Sequence, residues 1–150
     1  MDLSWCYVSM AAPAFDPQRL DELYQSSREF NLAHGISGVL LYSGGRFCQL
    51  IEGPAAGMAK VMARVRDCPL HVDLLTLHEE DVSQAAFPSW SLGTASDWRG
   101  QRMEVPGDGQ LARLTPAQQS ACRVLRNFIA WEDAGSPQDL QDVRLLFTRA

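Results

Sequence analysis

The stretch GISGVLLYSGGRFCQLIEG, residues 35–53, decides the fold. Two apolar runs, ISGVLLY and RFCQLIE, are separated by SGG, whose two glycines allow the positive φ angles of a tight turn, so the stretch predicts a β-hairpin. Alternation along the second run places Phe47, Gln49 and Ile51 on one face of its strand. A buried amide without hydrogen-bond partners costs about 1–3 kcal/mol. Gln49 therefore requires a partner: a core side chain, the backbone, a water or a ligand.

Helix and strand patterns surround the hairpin. Upstream, FDPQRLDELYQSSREFNLAHG predicts a helix with Asp16 at the N-cap, Pro17 in the first helical position and Gly35 beyond the end. Downstream, GPAAGMAKVMARVRD (53–67) predicts a second helix. The other strand patterns are LSWCYVS (3–9), HVDLLTLHEE (71–80) and the shorter WSLGTAS (90–96). The order β-α-β-β-α-β-β predicts an α+β, ferredoxin-like fold with a five-stranded mixed sheet and two helices on one face.

The second face of the sheet needs a cover, because both faces of the first strand are apolar. TPAQ (115–118) follows the capping-box pattern and predicts a helix that runs to about Trp131. A second helix start, SPQD (136–139), predicts a short last helix. The expected organisation is a core domain at 1–98, a linker at 99–114 and a helical extension at 115–150 that packs on the outer sheet face or on a partner.

Composition excludes several classes of partner. The 150 residues are 46% apolar and 21% charged, as in one ordinary globular domain. The net charge of −5, without a basic cluster, argues against nucleic acid and gives no reason to expect a membrane partner. No run reaches the roughly 18 apolar residues of a transmembrane helix, and MDLSWCYVSM lacks the basic region of a signal peptide, so we expect a cytoplasmic protein. The four cysteines form no CxxC pair and are expected to be buried thiols.

Three polar side chains fall in the layer between the predicted sheet and its two helices. The inward stripe of the first helix runs from Leu20 to Asn31, beginning apolar and ending polar. Tyr7 shares its strand face with apolar neighbours, as Gln49 does. Each has a purely structural interpretation: an edge hydroxyl for Tyr7, a helix cap for Asn31 and a backbone bond for Gln49. Together they suggest a ligand with several hydrogen-bonding edges and an apolar body.

Several ordered segments resemble the BLUF family of flavin-binding blue-light sensors. These segments are YVS (7–9), SSREFN (26–31), the hairpin 35–53, ARV (63–65) with His71 beyond it, and FPSWSLG (87–93). The resemblance covers residues 3–98 and implies that a flavin ring lies between the two helices, over the inner sheet face.

The resemblance implies a role for five of these residues. Tyr7 matches the tyrosine that donates an electron to the excited flavin, and Gln49 matches the glutamine between that tyrosine and the flavin N5/O4 edge. Asn31 matches the asparagine at the C4 carbonyl side of the ring. Ser27 matches a serine that helps to position this helix face, and Ile36 matches an apolar contact to the ring. Gln49 would then be buried because its partners are a phenol and a flavin edge.

The implied function is that of a blue-light photoreceptor that binds oxidised flavin without a covalent bond. Excitation would drive an electron from Tyr7 to the flavin and a proton through Gln49. The recombined state would absorb slightly to the red and revert in darkness. We expect no enzymatic activity, because no effector domain is recognised after the core. Output would pass through an unidentified downstream protein partner, and short members of the family commonly form homo-oligomers.

Some positions depart from the family pattern. Cys68 and Leu70 replace an Asp and an Arg that commonly face the ribityl and phosphate end, so FAD is expected with FMN or riboflavin as alternatives. Arg64 either contacts a phosphate or is a solvated helix arginine, and His71 either bonds to the ligand or begins a strand. On the last strand, which is thought to relay the signal, Trp90 faces either the pocket or the outside. Leu92 replaces the usual methionine there.

Other functions fit the residues less well. A ferredoxin-like interaction module that has lost flavin would explain Cys68 and Leu70 but would favour apolar groups at the three buried polar positions. A hydrolase of the acylphosphatase type needs an arginine in an anion-binding loop, whereas Arg28 and Asn31 lie on one helix. A metal enzyme would depend on His34, His71 and His78, whose spacing matches no ligand motif, so we expect no metal.

Overall fold

The computed structural model describes residues 1–94 and 108–133, without the side chains of residues 108 and 131–133. Its strands are β1 (Asp2–Ala11), β2 (Ser37–Ser43), β3 (Arg46–Pro54) and β4 (His71–Val82). Its helices are α1 (Leu20–Ala33), α2 (Ala55–Asp67), the four-residue α3 (Asp108–Leu111) and α4 (Pro116–Asp133), with a 3-10 turn at Pro17–Arg19 before α1. None of the described helices is long and apolar enough to span a membrane.

The four strands form one sheet in the order β2-β3-β1-β4, and each neighbouring pair is antiparallel. In the chain, α1 connects β1 to β2, and α2 connects β3 to β4. The predicted α+β, ferredoxin-like fold is therefore confirmed.

The predicted fifth strand is wrong within the described residues. The segment 90–93 makes one isolated parallel bridge, between Val39 of β2 and Gly93, so the sheet has four antiparallel strands rather than five mixed ones. The backbone of the segment still follows the β2 edge, because Gly38 N donates to Trp90 O at 2.8 Å and Leu40 N donates to Gly93 O at 3.0 Å. Side chains of α1 bind the carbonyls between these two contacts, which interrupts the ladder. Residues 95 and 96 of the predicted strand lie outside the described residues.

The local signals before and inside the hairpin are confirmed. The Asp16 carboxylate accepts a hydrogen bond from Gln18 N at 3.0 Å, and Pro17 begins the 3-10 turn that leads into α1. Gly35, just beyond the helix end, has a φ of 70°. In the hairpin, Gly44 and Gly45 have φ angles of 54° and 82°, which a two-residue turn between antiparallel strands requires.

The sheet has two covered faces. Helices α1 and α2 cover the inner face, where Trp5, Tyr7 and Ile51 pack with Met58, Val61 and Met62 of α2. Helix α4 covers the outer face, where its apolar stripe packs on Cys6, Val39, Leu41, Cys48 and Leu50. The stripe consists of Ala121, Cys122, Val124, Leu125, Phe128 and Ile129.

The first turn of α4 has the predicted capping box. Gln118 N donates to Thr115 Oγ1 at 3.1 Å, and Thr115 N donates in return to Gln118 Oε1 at 3.0 Å. Helix α3 lies inside the segment expected to be a linker. The predicted helix start at 136–139 lies outside the described residues, and the domain boundaries at 98 and 114 stay predictions.

Candidate functional site

A cavity of about 440 Å³ lies between α1, α2 and the inner face of the sheet. Its apolar walls include Phe15, Leu23, Phe47, Val61, Val65 and Leu70. Its polar lining includes Tyr7, Ser26, Ser27, Asn31, Gln49, Arg64 and His71. A mostly apolar cavity of this size with a few convergent polar groups is typical of a small-molecule site.

Tyr7 and Gln49 form a buried pair at the floor of this cavity. They lie directly opposite each other in the register of β1 and β3, and they are 3% and 4% exposed. The Tyr7 hydroxyl donates a hydrogen bond to Gln49 Oε1. Among the described residues Gln49 Nε2 has no hydrogen-bond partner, and it is not sealed in the core, so the donor end of the amide opens to the cavity. Burial raises the pKa of Tyr7 well above its ordinary value, which keeps the phenol protonated as a donor.

Asn31 lies near the end of α1 with its side chain turned inward, 2% exposed. Its Nδ2 donates to Ser91 O at 2.8 Å, across 60 residues of sequence. The backbone carbonyl of Asn31, rather than its side chain, accepts the terminal bonds from His34 N and Ile36 N. The amide therefore joins the cavity wall to the segment beside β2 and does not cap the helix. Ser27, about one turn earlier, also lines the cavity.

The segment beside β2 sends its two bulky side chains to opposite sides. Leu92 is 1% exposed and packs with Phe15, Tyr24, Leu40 and Phe47 on the inner side. Trp90 is half-buried and packs against the outer-face cluster. It lines a second cavity of about 270 Å³, together with Gln110 and Arg113 among others. The structure thus places Leu92 next to the walls of the inner cavity and Trp90 away from it.

His71 begins β4 and faces the cavity with its ring. Its Nδ1 is 2.8 Å from Ser9 Oγ, and its Nε2 is 2.6 Å from Val65 O. The ring centroid lies 6.0 Å from that of Tyr7 and 6.3 Å from that of Phe47. Because both nitrogens are engaged within the protein, the ring offers its faces and edges to the cavity rather than a hydrogen bond.

Arg64 is fixed at the side of the cavity. It donates from Nη2 to Ser26 Oγ at 2.6 Å, and its guanidinium lies 4.5 Å from the centroid of the Phe30 ring. Arg64 of α2 is thereby tied to α1 across the gap between the helices. A second cation, Arg19, also lines the cavity and pairs with Glu22 at 3.0 Å, a largely exposed ion pair of small energetic value.

The structure does not bring Ile36 to the cavity. Its side chain is 3% exposed and packs in the inner cluster that includes Trp5 and Met58. Two glycines make room for it. A Cβ at Gly53 would lie 2.6 Å from Ile36 Cδ1, and a Cβ at Gly57 would lie 3.2 Å from it.

The two departures from the family pattern, Cys68 and Leu70, both line the cavity. All four cysteines are free; Cys6, Cys48 and Cys122 are buried and Cys68 is half-buried. Within the described residues, no three His, Cys, Asp or Glu side chains come together as a possible metal site.

Sequence reasoning missed two residues that hold the segment after β4. Arg28 donates from Nε to Leu92 O at 2.8 Å, and Glu52 accepts from Ala86 N at 2.6 Å. A glutamate within the apolar run RFCQLIE was a usable signal, because a buried carboxylate needs donors. Arg28 gave no such signal, since arginines on helices are common and its partner is a backbone carbonyl far along the chain.

The cavity fits a flavin on the chemistry of its donors and acceptors. A flavin has a planar, largely apolar ring system with a polar edge of carbonyl oxygens and ring nitrogens. The walls supply apolar contact, and the unpartnered Nε2 of Gln49 supplies a donor at the floor. Asn31 adds a second amide at the same layer. Arg64 and Arg19 supply positive charge for a phosphate.

Comparison with known families decides the assignment. The family model BLUF, described as sensors of blue light using FAD, matches residues 3–93, which is more than half of the chain. The chain belongs to the BLUF family. The predicted blue-light flavin photoreceptor is therefore confirmed at the level of the family and favoured over a module that has lost flavin. A BLUF domain is itself a sensor rather than a catalyst.

Relatives of this BLUF domain occur alone and within larger proteins. The photoactivated adenylate cyclase subunit beta of Euglena longa is 27% identical over 127 residues, which cover 84% of this chain and 14% of that protein. The chain thus spans about one seventh of the curated relatives it matches. A Klebsiella pneumoniae BlrP1 structure, a manganese/cy-diGMP complex, is 26% identical with a TM-score of 0.65, over 87% of this chain and 33% of that one. The dark-state structure of BlrB, a BLUF protein, is 26% identical with a TM-score of 0.59, over 81% and 96% of the two chains.

Proposed function

We propose that this chain binds a flavin in the inner cavity and senses blue light through the hydrogen bond between Tyr7 and Gln49. The observation that carries the proposal is the buried phenol–amide pair with its free amide donor aimed into the cavity. A bound flavin supplies the absorption of blue light and an electron acceptor. The pair supplies an electron donor, a mobile proton and an amide whose two ends differ.

Tyr7 and Gln49 have the chemistry that this role requires. The Tyr7 phenol releases an electron and the proton on Oη, and Gln49 Oε1 is the atom that accepts this proton. Rotation of the amide by half a turn would bring Nε2 to Tyr7 and Oε1 to the cavity, and tautomerisation would also exchange donor and acceptor. Either change alters the hydrogen bonds offered at the cavity floor without breaking a bond of the carbon skeleton. The predicted small red shift and dark reversal follow from such a change.

Other lining residues hold and orient the flavin in this proposal. Asn31 contacts the polar edge of the ring and keeps its bond to Ser91 O. Ser27 lines the same helix face, while His71 contacts the ligand through its ring because both nitrogens are engaged. Arg64 contacts a phosphate group, which favours FAD or FMN over riboflavin. We propose FAD as the bound form, since the family is described by its use of FAD.

We further propose that the chain has no catalytic activity of its own and acts through contacts with other proteins. Its relatives include subunits of photoactivated adenylate cyclases, in which a matching segment forms a small part of a longer protein. By analogy, the output of this chain would be a change in a surface that a partner contacts. A homo-oligomer and a cytoplasmic location stay predictions.

The test is an absorption spectrum of the purified protein in the dark and immediately after blue light. We expect flavin bands that shift slightly to the red and recover in darkness, and FAD on chromatography of the released cofactor. A protein that stays colourless with added FAD, FMN or riboflavin would refute flavin binding. Flavin bands that do not move would refute the light-sensing role. Size-exclusion chromatography of the same sample tests the oligomer.

A further inference from the structure

The outer face of β3 carries a buried carboxylate within an otherwise apolar cluster. Glu52 is 1% exposed. Its Oε1 accepts a hydrogen bond from Ala86 N at 2.6 Å, and its Oε2 accepts one from Gln118 Nε2 at 2.7 Å. One side chain of β3 therefore holds both the segment after β4 and the first turn of α4.

Gln118 completes the junction from the side of the helix. It is also 1% exposed, and its Nε2 donates a second bond to Gln84 O at 2.9 Å. Its Oε1 accepts from Thr115 N in the capping box. The start of α4 is thus fixed to β3 and to the segment after β4 by one amide whose donors and acceptor are all used.

The other end of that segment is fixed to the wall of the inner cavity. Asn31, which lines the cavity, donates to Ser91 O at 2.8 Å, and Arg28 donates to Leu92 O at 2.8 Å. Residues 84–92 therefore connect the helix that borders the cavity with the carboxylate that holds α4. Ser91 and Ala86 are five positions apart in this segment.

We propose that Glu52 and Gln118 form a latch through which the inner cavity controls the docking of α4 on the outer face of the sheet. The proposal rests on the proposed function, because light must first rearrange the hydrogen bonds at the cavity. The rearrangement moves the 84–92 segment through Asn31, displaces Ala86 N from Glu52, weakens the bond from Gln118 and loosens α4. Glu52 is a positioning residue in this scheme, since it does not touch the cavity.

The chain contains its own reporter of this docking. Cys122 of α4 is 0% exposed in the outer cluster, and burial raises the pKa of its thiol to about 12. While α4 is docked, the thiol is both covered and protonated, so it reacts slowly with a thiolate-selective reagent. Cys68 lines the inner cavity and is therefore exposed to changes there, so a small-molecule thiol added to each sample serves as the reference for reagent activity.

The experiment is alkylation of the flavin-loaded full chain by N-ethylmaleimide, in darkness and under continuous blue light, with each cysteine followed by peptide mass spectrometry. In the wild type we expect light to accelerate the alkylation of Cys122 about fivefold or more, as for an ordinary coupling between two sites. In Glu52→Gln, an NH2 donor replaces one of the two acceptor oxygens, so either Ala86 N or Gln118 Nε2 faces a donor in place of its acceptor. The dark rate should then rise toward the lit rate, and the light-to-dark ratio should fall to about one while the flavin red shift persists.

Two further variants separate the latch from a general effect of charge. Exchanging the partners in Glu52→Gln/Gln118→Glu restores one donor and one acceptor between the two side chains but loses the bond from position 118 to Gln84 O, so it should restore part of the light dependence. Gln119→Glu adds the same charge at the neighbouring helical position, whose amide donates to Leu114 O instead, and should behave as the wild type. If Glu52→Gln fails to fold, Gln118→Met removes the same bond from the helix side and is assessed by the same two rates.

The outcomes decide between the two levels of the proposal. A normal red shift in the wild type with an unchanged Cys122 rate in light would overturn the latch and leave the light sensor intact. A wild-type light-to-dark ratio in Glu52→Gln or Gln118→Met would also overturn it. An absent red shift in the wild type would overturn the proposed function and, with it, the latch.

Discussion

The hydrogen bond between Tyr7 and Gln49 can be tested for stability and for photochemistry with the same variants. Tyr7→Phe removes the donor and leaves Gln49 Oε1 buried without it, because Gln49 is only 4% exposed. An unsatisfied buried polar group costs about 1–3 kcal/mol of unfolding free energy. For a chain of this length, each kcal/mol corresponds to about 2–4 °C in the melting temperature. Gln49→Leu should cost a similar amount, since it leaves the Tyr7 hydroxyl without its acceptor.

The double variant separates the bond from the packing of the two side chains. Tyr7→Phe/Gln49→Leu removes donor and acceptor together, so its cost should be smaller than the sum of the single costs by about 1–2 kcal/mol. The assay is chemical denaturation of all four proteins at one saturating flavin concentration, because a bound ligand stabilises the folded state. Costs that simply add would refute the inference that this bond stabilises the inner layer.

Spectra of the same samples test the photochemical role. Both single variants should keep their flavin bands and lose the light-induced red shift. Tyr42→Phe is the matched control. The centroid of the Tyr42 ring lies 5.3 Å from that of Phe15 and 5.0 Å from that of Phe47, and among the described residues the Tyr42 hydroxyl has no hydrogen-bond partner. It should keep both its stability, within about 0.5 kcal/mol, and its red shift. A normal red shift in Tyr7→Phe or Gln49→Leu would refute the mechanism.

Three further predictions address packing, the side of Trp90 and pH. Gly57→Ala should lower the unfolding free energy by about 1–3 kcal/mol despite the better helix propensity of alanine, because the new Cβ would lie 2.2 Å from His34 O. Gly109→Ala is the control and should not lower the unfolding free energy, because no described atom lies within 4 Å of its Cβ. Trp90→Phe should keep the full red shift, because Trp90 packs on the outer side; loss of the shift would place its side chain at the flavin. Burial raises the pKa of Glu52 above its ordinary 4.5, so the folded state binds more protons than the unfolded state. The unfolding free energy should therefore fall as pH rises from about 4.5 through the raised pKa, and denaturation of Glu52→Gln over the same pH range should lack this component.

Most of the fold could be predicted because its signals are local. The hairpin follows from two glycines between alternating apolar runs. The starts of α1 and α4 follow from the capping residues Asp16 and Thr115, whose partners Gln18 and Gln118 are two and three residues further along the chain. The predicted fifth strand failed for a tertiary reason. The carbonyls of Ser91 and Leu92 are bound by side chains of α1, 60 and 64 residues away in sequence, and no feature of WSLGTAS indicates those partners.

The site could be predicted in part for the same reason. Strand alternation placed Tyr7 and Gln49 on one face, and the structure makes them direct neighbours in register. The family motif also suggested Ile36 as a contact to the ring, and this role stays a prediction; its side chain packs with residues of α2, because Gly53 and Gly57 leave room for it there. Alternation could not assign the side of Trp90, since the backbone of its segment is set by pairing with only a few residues of β2.

The strand β3 carries residues of both the inner cavity layer and the outer layer under α4. The odd-numbered residues of β3 face the cavity layer, where Gln49 accepts a hydrogen bond from Tyr7 among apolar neighbours. Its even residues face α4, where Cys48 and Leu50 pack and Glu52 binds Gln118. β3 is hydrogen-bonded to β1 on one edge and to β2 on the other, so a displacement of its backbone would move the side chains of both faces together. Gln49 and Glu52, three residues apart, therefore lie on opposite faces of one strand, and we expect Glu52→Gln to alter the rate of dark recovery even where its red shift is normal.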